Sequence, residues 1–325
     1  MQKVLITGVT GFVGSHLADY LLSLGDVQIY GTIRHRSKLD NILHIQDKIK
    51  LFEGDLTDAT SVDCILKEVM PDYIFHLAAQ SFVPYSWVAP SETLKVNIFG
   101  AVNILEFVRR YLKDCIVLLA GTSEEYGLVY QNELPIKESN VFRPLSVYGI
   151  SKVAQENLGY VYYRSYGVKT ILTRSFNHFC GRRGFEFVES KITRQALEIL
   201  LGKRDKFSLG NLDTVRDFTD ARDIVRCYWL LSQEAANGNE HVLATPLNLC
   251  SGKGYVIKDL LNKISGIVGI SPIIDQDSNS LRPKNADVPI LIGDCLKVEQ
   301  IIGKVSKIPI EDSLNHLIEY WRLKI

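Results

Sequence analysis

Val4-Leu5-Ile6-Thr7-Gly8-Val9-Thr10-Gly11-Phe12-Val13-Gly14-Ser15-His16-Leu17 is the stretch on which the fold turns. Its apolar opening reads as a buried strand, and residues 12–24 carry the spacing of an amphipathic helix. Between the two, Gly8, Gly11 and Gly14 fall at Gly-x-x-Gly-x-x-Gly spacing. The first glycine permits a tight turn, the second lets backbone N–H groups approach a pyrophosphate, and the third lets the helix pack on the strand. The helix N-terminus favours the anion. Three isolated glycines would read as plain turns. After a strand and before a helix they predict a dinucleotide loop contacted through Gly8, Thr10, Gly11, Phe12, Val13 and Gly14.

The same rhythm runs outward. Residues 28–33, 49–52, 73–77, 116–119 and 170–173 read as strands, and 59–69, 90–111 and 148–166 as helices. Apolar strands without alternation are buried on both faces, which predicts a doubly wound parallel α/β sheet of the Rossmann kind. Beyond Asn177 the pattern loosens into helices at 189–201, 221–232, 258–268 and 310–323 with short strands such as 247–249. We read residues 1–176 as the nucleotide-binding domain, completed by excursions from later segments. Residues 177–325 are then mainly a smaller, mixed substrate-binding cap.

Composition narrows the partners. With 325 residues, 46% of them hydrophobic, the chain can bury a large core in one or two domains. Lys+Arg and Asp+Glu both number 37, so no net field favours nucleic acid or an anionic membrane. No signal-peptide pattern precedes the first strand, and no apolar run is long enough to cross a bilayer. Cys64, Cys115, Cys180, Cys227, Cys250 and Cys295 are scattered without a Cys-x-x-Cys pair. Neither a metal site nor a disulfide framework is expected, and the cytoplasm is the natural compartment.

The second strand ends in Gly31-Thr32-Ile33-Arg34-His35-Arg36-Ser37. An acidic residue here suits a ribose 2′-hydroxyl, whereas arginine suits a 2′-phosphate, so Arg34, Arg36 and Ser37 predict NADP. A solvated basic turn is the competing reading. Asp55-Leu56 is placed to meet the adenine, and Leu77-Ala78-Ala79 to face the ribose side.

Tyr148 and Lys152 lie one turn apart on a single helix face. A nearby ammonium is expected to lower the phenol pKa, so Tyr148 becomes a proton-transfer group near neutral pH. The fifth strand ends in Gly121-Thr122-Ser123-Glu124-Glu125 at the carboxyl edge where ligands gather. Thr122 is read as hydrogen-bonding the reacting oxygen and Glu124 as a base for a C–H proton, while Glu125 is read as loop surface. Arg174, Arg182, Arg183, Arg216 and Arg282 supply guanidinium forks for a diphosphate clamp; singly, each also fits a surface ion pair.

These residues resemble the extended short-chain dehydrogenase/reductases, the NAD-dependent epimerase/dehydratase family, over essentially the whole chain. The motifs are residues 7–14, 76–81, 122–127, 148–152 and Asn177-His178 with Arg182-Arg183-Gly184. Thr122-Ser123-Glu124, the Arg34–Ser37 arm and the run from Phe187 to Arg194 resemble the GDP-mannose 4,6-dehydratase branch. The resemblance implies Thr122, Glu124, Tyr148 and Lys152 as catalytic residues. It implies cofactor contacts that include Ser81, His178 and Arg183, with Asn177, Val188, Lys191, Arg216 and Arg282 toward a GDP-sugar. It also implies a homodimer, or a homotetramer if the basic arm reaches a neighbouring cofactor.

The chain departs from the branch at Phe12-Val13, where Gln-Asp is usual, at Val147 in place of proline, and at Cys180-Gly181 before the paired arginines. Glu124-Glu125, Leu249-Cys250-Ser251-Gly252 and a short C-terminal region are similar to GDP-4-keto-6-deoxy-mannose reductases. That reductase activity, an epimerase activity and a non-catalytic NADP-binding role are the alternatives to dehydration. An intact proton-transfer set argues against the last of these.

Overall fold

A computed structural model describes residues 1–277 and 287–325. Its strands are β1 (Gln2–Thr7), β2 (Val27–Ile33), β3 (Lys50–Glu53), β4 (Tyr73–His76), β5 (Ile116–Thr122) and β6 (Lys169–Ser175). They continue with β7 (Asn177–Phe179), β8 (Phe207–Leu209), β9 (Val215–Asp220), β10 (Pro246–Leu249), β11 (Gly254–Val256), β12 (Ile274–Gln276) and β13 (Ile290–Leu291). The central sheet runs β10-β6-β5-β4-β1-β2-β3, and every pairing in it is parallel.

Successive residues of a strand explain the unbroken apolar runs. Val4 and Ile6 pack on one face with the helices Phe12–Leu24 and Ala221–Ala236. Leu5 packs on the other with Ala59–Val69, Gly100–Tyr111 and Val147–Tyr166. With both faces covered, neither set of side chains can be polar. The chain winds from β1 out to β3, then returns across β1 to β4, β5 and β6. The order therefore reverses between β1 and β4, and the crevice lies beyond the carboxyl ends there.

The later half contributes β10 and the helix Ala221–Ala236 to this sheet. The remainder forms its own core, in which Phe179, Leu197, Phe218, Leu260 and Leu317 meet. Around it β9 pairs with β7, β11 and β13, and β8 with β12.

One expected element is corrected. Residues 90–111 do not form a single α-helix: Pro90–Leu94 and Gly100–Tyr111 flank a π-helical turn over Lys95–Phe99. The cause is Asn97, buried inside the turn. Its side chain accepts the Gln80 N–H at 2.8 Å and donates to the Gln80 carbonyl at 3.1 Å and the Ser151 hydroxyl at 2.9 Å. Anchoring that side chain inward widens the turn by one residue.

Candidate active site

One continuous cavity of about 1920 Å³ runs from the glycine loop to the cap. Of the sequence-predicted site residues that are described, all but Arg36 and Arg174 line it. Arg282 lies outside the described residues.

The glycine loop is built for close approach. A Cβ on Gly14 would stand 2.4 Å from the Gly8 carbonyl oxygen and 2.9 Å from the Val9 Cα. Gly14→Ala is therefore expected to destabilise the fold by about 1–3 kcal/mol and to weaken NADPH binding, read by urea denaturation and fluorescence titration. Thr7 ties this loop to the next strand. Its hydroxyl accepts the Leu77 and Ala78 N–H groups at 3.0 and 3.1 Å and meets His76 Nδ1 at 3.0 Å.

At the far end, the Arg34 N–H donates to the Ser37 hydroxyl at 2.9 Å, and the Ser37 N–H to the Arg34 carbonyl at 2.9 Å. This tight turn brings Arg34 and Ser37 to the cavity, whereas Arg36, at φ +104°, is exposed away from it. Among the described residues no carboxylate stands within ion-pair distance of the Arg34 guanidinium, which suits a 2′-phosphate. Arg34→Ala is expected to weaken NADPH about 10- to 100-fold while moving NADH little, the worth of a charge-assisted contact. Parallel titrations with the two cofactors check it. Nearby, the Thr57 N–H bonds the Asp55 carboxylate at 2.8 Å and, as the largest cause, holds its pKa below the usual value.

The waist of the cavity holds the proton-transfer groups. Thr122 ends β5 and caps the turn Ser123–Glu125, its hydroxyl accepting the Glu124 N–H at 3.3 Å. Ser146 caps the helix Val147–Tyr166 by accepting the Gly149 N–H at 3.0 Å, which sets Tyr148 in the first turn. A Cβ on Gly149 would lie 2.6 Å from the Glu124 carbonyl oxygen, so a glycine is needed for helix and turn to meet. Glu124 and Tyr148 consequently face the same space.

The electrostatics differ from the sequence expectation. Burial pushes the Tyr148 phenol well above its ordinary value. Thr122 and Arg183 pull it down, while Glu125 and Glu124 push it further up. The Lys152 ammonium turns elsewhere, donating to the Ala120 carbonyl at 2.8 Å and to Gln155 Oε1 at 3.0 Å. Burial lowers its pKa to about 8, against a raising influence from Glu125.

Two further expectations are corrected. Glu125 is not loop surface but fully buried, its Oε1 accepting the Thr122 N–H at 2.7 Å. Arg174 is no part of a diphosphate clamp: it is 4% exposed and paired bidentately with Glu156 at 2.7 Å through Nε and Nη2.

On the cap side, Arg183 lies between Phe12 and Phe187, its guanidinium 5.0 and 3.6 Å from the ring centroids, with Nε donating to Glu189 at 2.9 Å. The Phe12 ring also stacks on His178 at 5.9 Å. His178 Nδ1 donates to the Phe176 carbonyl at 2.8 Å, so Nε2 is an acceptor, and burial lowers the pKa to about 4. Lys191 stands 3.5 Å from Asp277. Arg216 donates to the Val288 carbonyl at 2.8 Å and reaches Asp287 at 3.5 Å.

Sequence reasoning missed Asn97, Gln80 and the Phe12–Arg183–Phe187 stack. Asn97 had a signal, a polar residue two positions before the apolar Phe99, against the helical pattern. The stack had none, since Phe12 lies far in the chain from Arg183 and Phe187.

The whole chain answers to known proteins. The family model for GDP-mannose 4,6 dehydratase matches residues 5–317. The chain belongs to the GDP-mannose 4,6-dehydratase family. The GDP-mannose 4,6-dehydratase of Yersinia enterocolitica is 32% identical, with 98% of this chain and 93% of that protein covered. The Homo sapiens GDP-mannose 4,6 dehydratase is 32% identical over 97% of this chain and 90% of its own. Among solved structures, RMD from Pseudomonas aeruginosa complexed with NADPH superposes with a TM-score of 0.85 at 25% identity, covering both chains completely. As a member of this family the protein is a dehydratase-type enzyme for a nucleotide-linked sugar, with NADP as cofactor. The glycine loop, the Arg34–Ser37 turn and the small residues after β4 fit that dinucleotide. Among the described residues no His, Cys, Asp or Glu cluster suits a metal, and no helix is long and apolar enough to cross a membrane.

Proposed function

We propose that the protein converts GDP-mannose to GDP-4-keto-6-deoxy-mannose. The observation that carries this is the continuous cavity that joins a dinucleotide loop to cap residues that include Arg183, Lys191 and Arg216, with Thr122, Glu124, Tyr148 and Lys152 at its waist. Tyr148 takes the proton of the sugar 4-hydroxyl, with Thr122 holding that oxygen. NADP, held by the glycine loop and the Arg34–Ser37 turn, would supply the acceptor for the C4 hydride and its donor to C6. The C4 ketone acidifies C5–H; Glu124 removes that proton and passes it to the C6 hydroxyl, which leaves as water, and the proton held by Tyr148 is the one available to restore C5–H. No external reductant is consumed. Lys191 and Arg216, with Asn177 and Val188 beside them, are the residues we assign to the nucleotide end. Arg282 is retained there on resemblance alone.

Incubation with GDP-mannose and catalytic NADP⁺, followed by mass spectrometry, tests this. Loss of one water without net NADPH formation is the expected result. NADPH oxidation on GDP-4-keto-6-deoxy-mannose, with GDP-mannose inert, would instead assign the reductase reaction. That second reading draws on the resemblance of Glu124-Glu125 and Leu249-Cys250-Ser251-Gly252 to such reductases.

We further propose residues 1–176, joined by β10 and the helix Ala221–Ala236, as the NADP-binding unit and the rest as the sugar-nucleotide unit. Exposed Phe99, Tyr111, Ile150, Tyr160, Val161 and Tyr166 support pairing of the Gly100–Tyr111 and Val147–Tyr166 helices across a two-fold axis. A homodimer follows, and a homotetramer is the larger assembly that light scattering distinguishes. The free state of all six cysteines supports a cytoplasmic location.

A further inference from the structure

Glu125 is a titratable group that the reaction as written does not use. It lies directly beneath the site, 0% exposed. Its Oε1 accepts the Thr122 N–H at 2.7 Å, closing the capping box around the turn Ser123–Glu125, and its buried Oε2 has no hydrogen-bond partner.

The charged neighbours are already spent on one another. Arg174 Nε stands 3.9 Å from Glu125 Oε2. Yet the same guanidinium gives Nε and Nη2 to Glu156 at 2.7 Å, and Nη1 to the Tyr126 hydroxyl and the Glu138 carbonyl at 2.9 Å. An ionised Glu125 would place a second negative charge beside Glu156 with one oxygen bare, a costly arrangement in a dry interior. The other groups facing it are Lys152, Tyr148 and Tyr126.

We propose that Glu125 is a positioning residue that works as a neutral carboxylic acid, its carboxyl holding the Thr122 N–H and thereby presenting Thr122 and Glu124 to the cavity. This rests on the dehydratase reading of Glu124. Burial first, then Glu156, pushes the Glu125 carboxyl well above the usual range, in keeping with the geometry. Neutrality also matters for the chemistry above it. A negative Glu125 raises the Tyr148 phenol and so opposes the proton transfer that starts the reaction. A glutamine retains an acceptor oxygen for the Thr122 N–H and carries no charge, whereas a leucine fills the space and holds nothing.

The test compares Glu125→Gln, Glu125→Leu and the wild type. Glu125→Gln is expected to keep kcat within about threefold and the same pH profile. Glu125→Leu is expected to lose kcat about 10- to 100-fold with KM and NADPH affinity nearly unchanged, the effect of a displaced catalytic turn. Infrared spectra of the ligand-free wild type at neutral pH should show a protonated-carboxyl C=O band that Glu125→Gln removes. A loss in Glu125→Gln as large as in Glu125→Leu, an active Glu125→Leu, or absence of the band overturns the proposal. Should Glu125→Leu not fold, the band and the glutamine variant decide alone. Should the wild type dehydrate no sugar nucleotide, the proposed function fails, while the band still reports the state of Glu125.

Discussion

Glu124→Gln is expected to abolish loss of water from GDP-mannose, with kcat reduced about 10²- to 10⁴-fold, the usual worth of a positioned base. The glutamine keeps the size and most polar contacts, so the turn capped by Thr122 and packed against Gly149 should persist, and NADPH affinity with it. What disappears is the acceptor for the C5 proton. The reaction then stalls after C4 oxidation. Reduced nicotinamide should build up on the enzyme in a single turnover, and exchange of the C5 hydrogen with deuterated solvent should cease. Mass spectrometry and nicotinamide absorbance read both. Retained dehydration would remove Glu124 from its role. A protein that only reduces a 4-ketone would behave differently, because that reaction breaks no C5–H bond and would pass through the substitution unchanged.

The contrast between Glu124 and its neighbour shows where the sequence was legible. Position after a strand located the turn, and residue type gave Glu124 its chemistry. Nothing in Glu124-Glu125 says which carboxyl points to solvent and which points down. That is decided by the three-residue turn, which sends Glu125 back to the Thr122 N–H, and by the room left for it beneath β5. The sheet was legible because burial on both faces leaves an unbroken apolar signature in residues such as Val4, Leu5 and Ile6. The cap strand β9 was not, since Val215-Arg216-Asp217 reads as a polar loop. Its buried Asp217 carboxylate is held by hydrogen bonds from partners remote in the chain. Asp217 accepts N–H groups from Ser251, Gly252 and Gly293 at 2.8, 2.9 and 3.2 Å. Pairing of this kind leaves no periodic trace. The tyrosine–lysine spacing likewise located two side chains on one helix face, but which group the ammonium contacts depends on the carbonyl of Ala120 and on Gln155.

That last difference shapes the second large effect, Tyr148→Phe. Removing the phenol oxygen removes the group that takes the 4-hydroxyl proton, and kcat should again fall about 10²- to 10⁴-fold with the folded structure intact. The pH dependence of the wild type follows from two opposed shifts. Burial raises the Tyr148 pKa, so its base form, and with it the rate, grows as pH rises. Burial lowers the Lys152 pKa to about 8. Above that value the ammonium, one helical turn from Tyr148, is lost. If its charge assists the phenolate, the rate should climb toward pH 8 and level off beyond it, because each gain in phenolate is then matched by loss of ammonium. Lys152→Met should lower the rate and erase that break, leaving a profile that keeps rising with pH. A break near pH 8 that survives in Lys152→Met would show that another group sets it. A wild-type rate that rises without limit through pH 9 would mean that the lysine charge does not act on Tyr148 at all, and that the contacts to Ala120 and Gln155 are its only role.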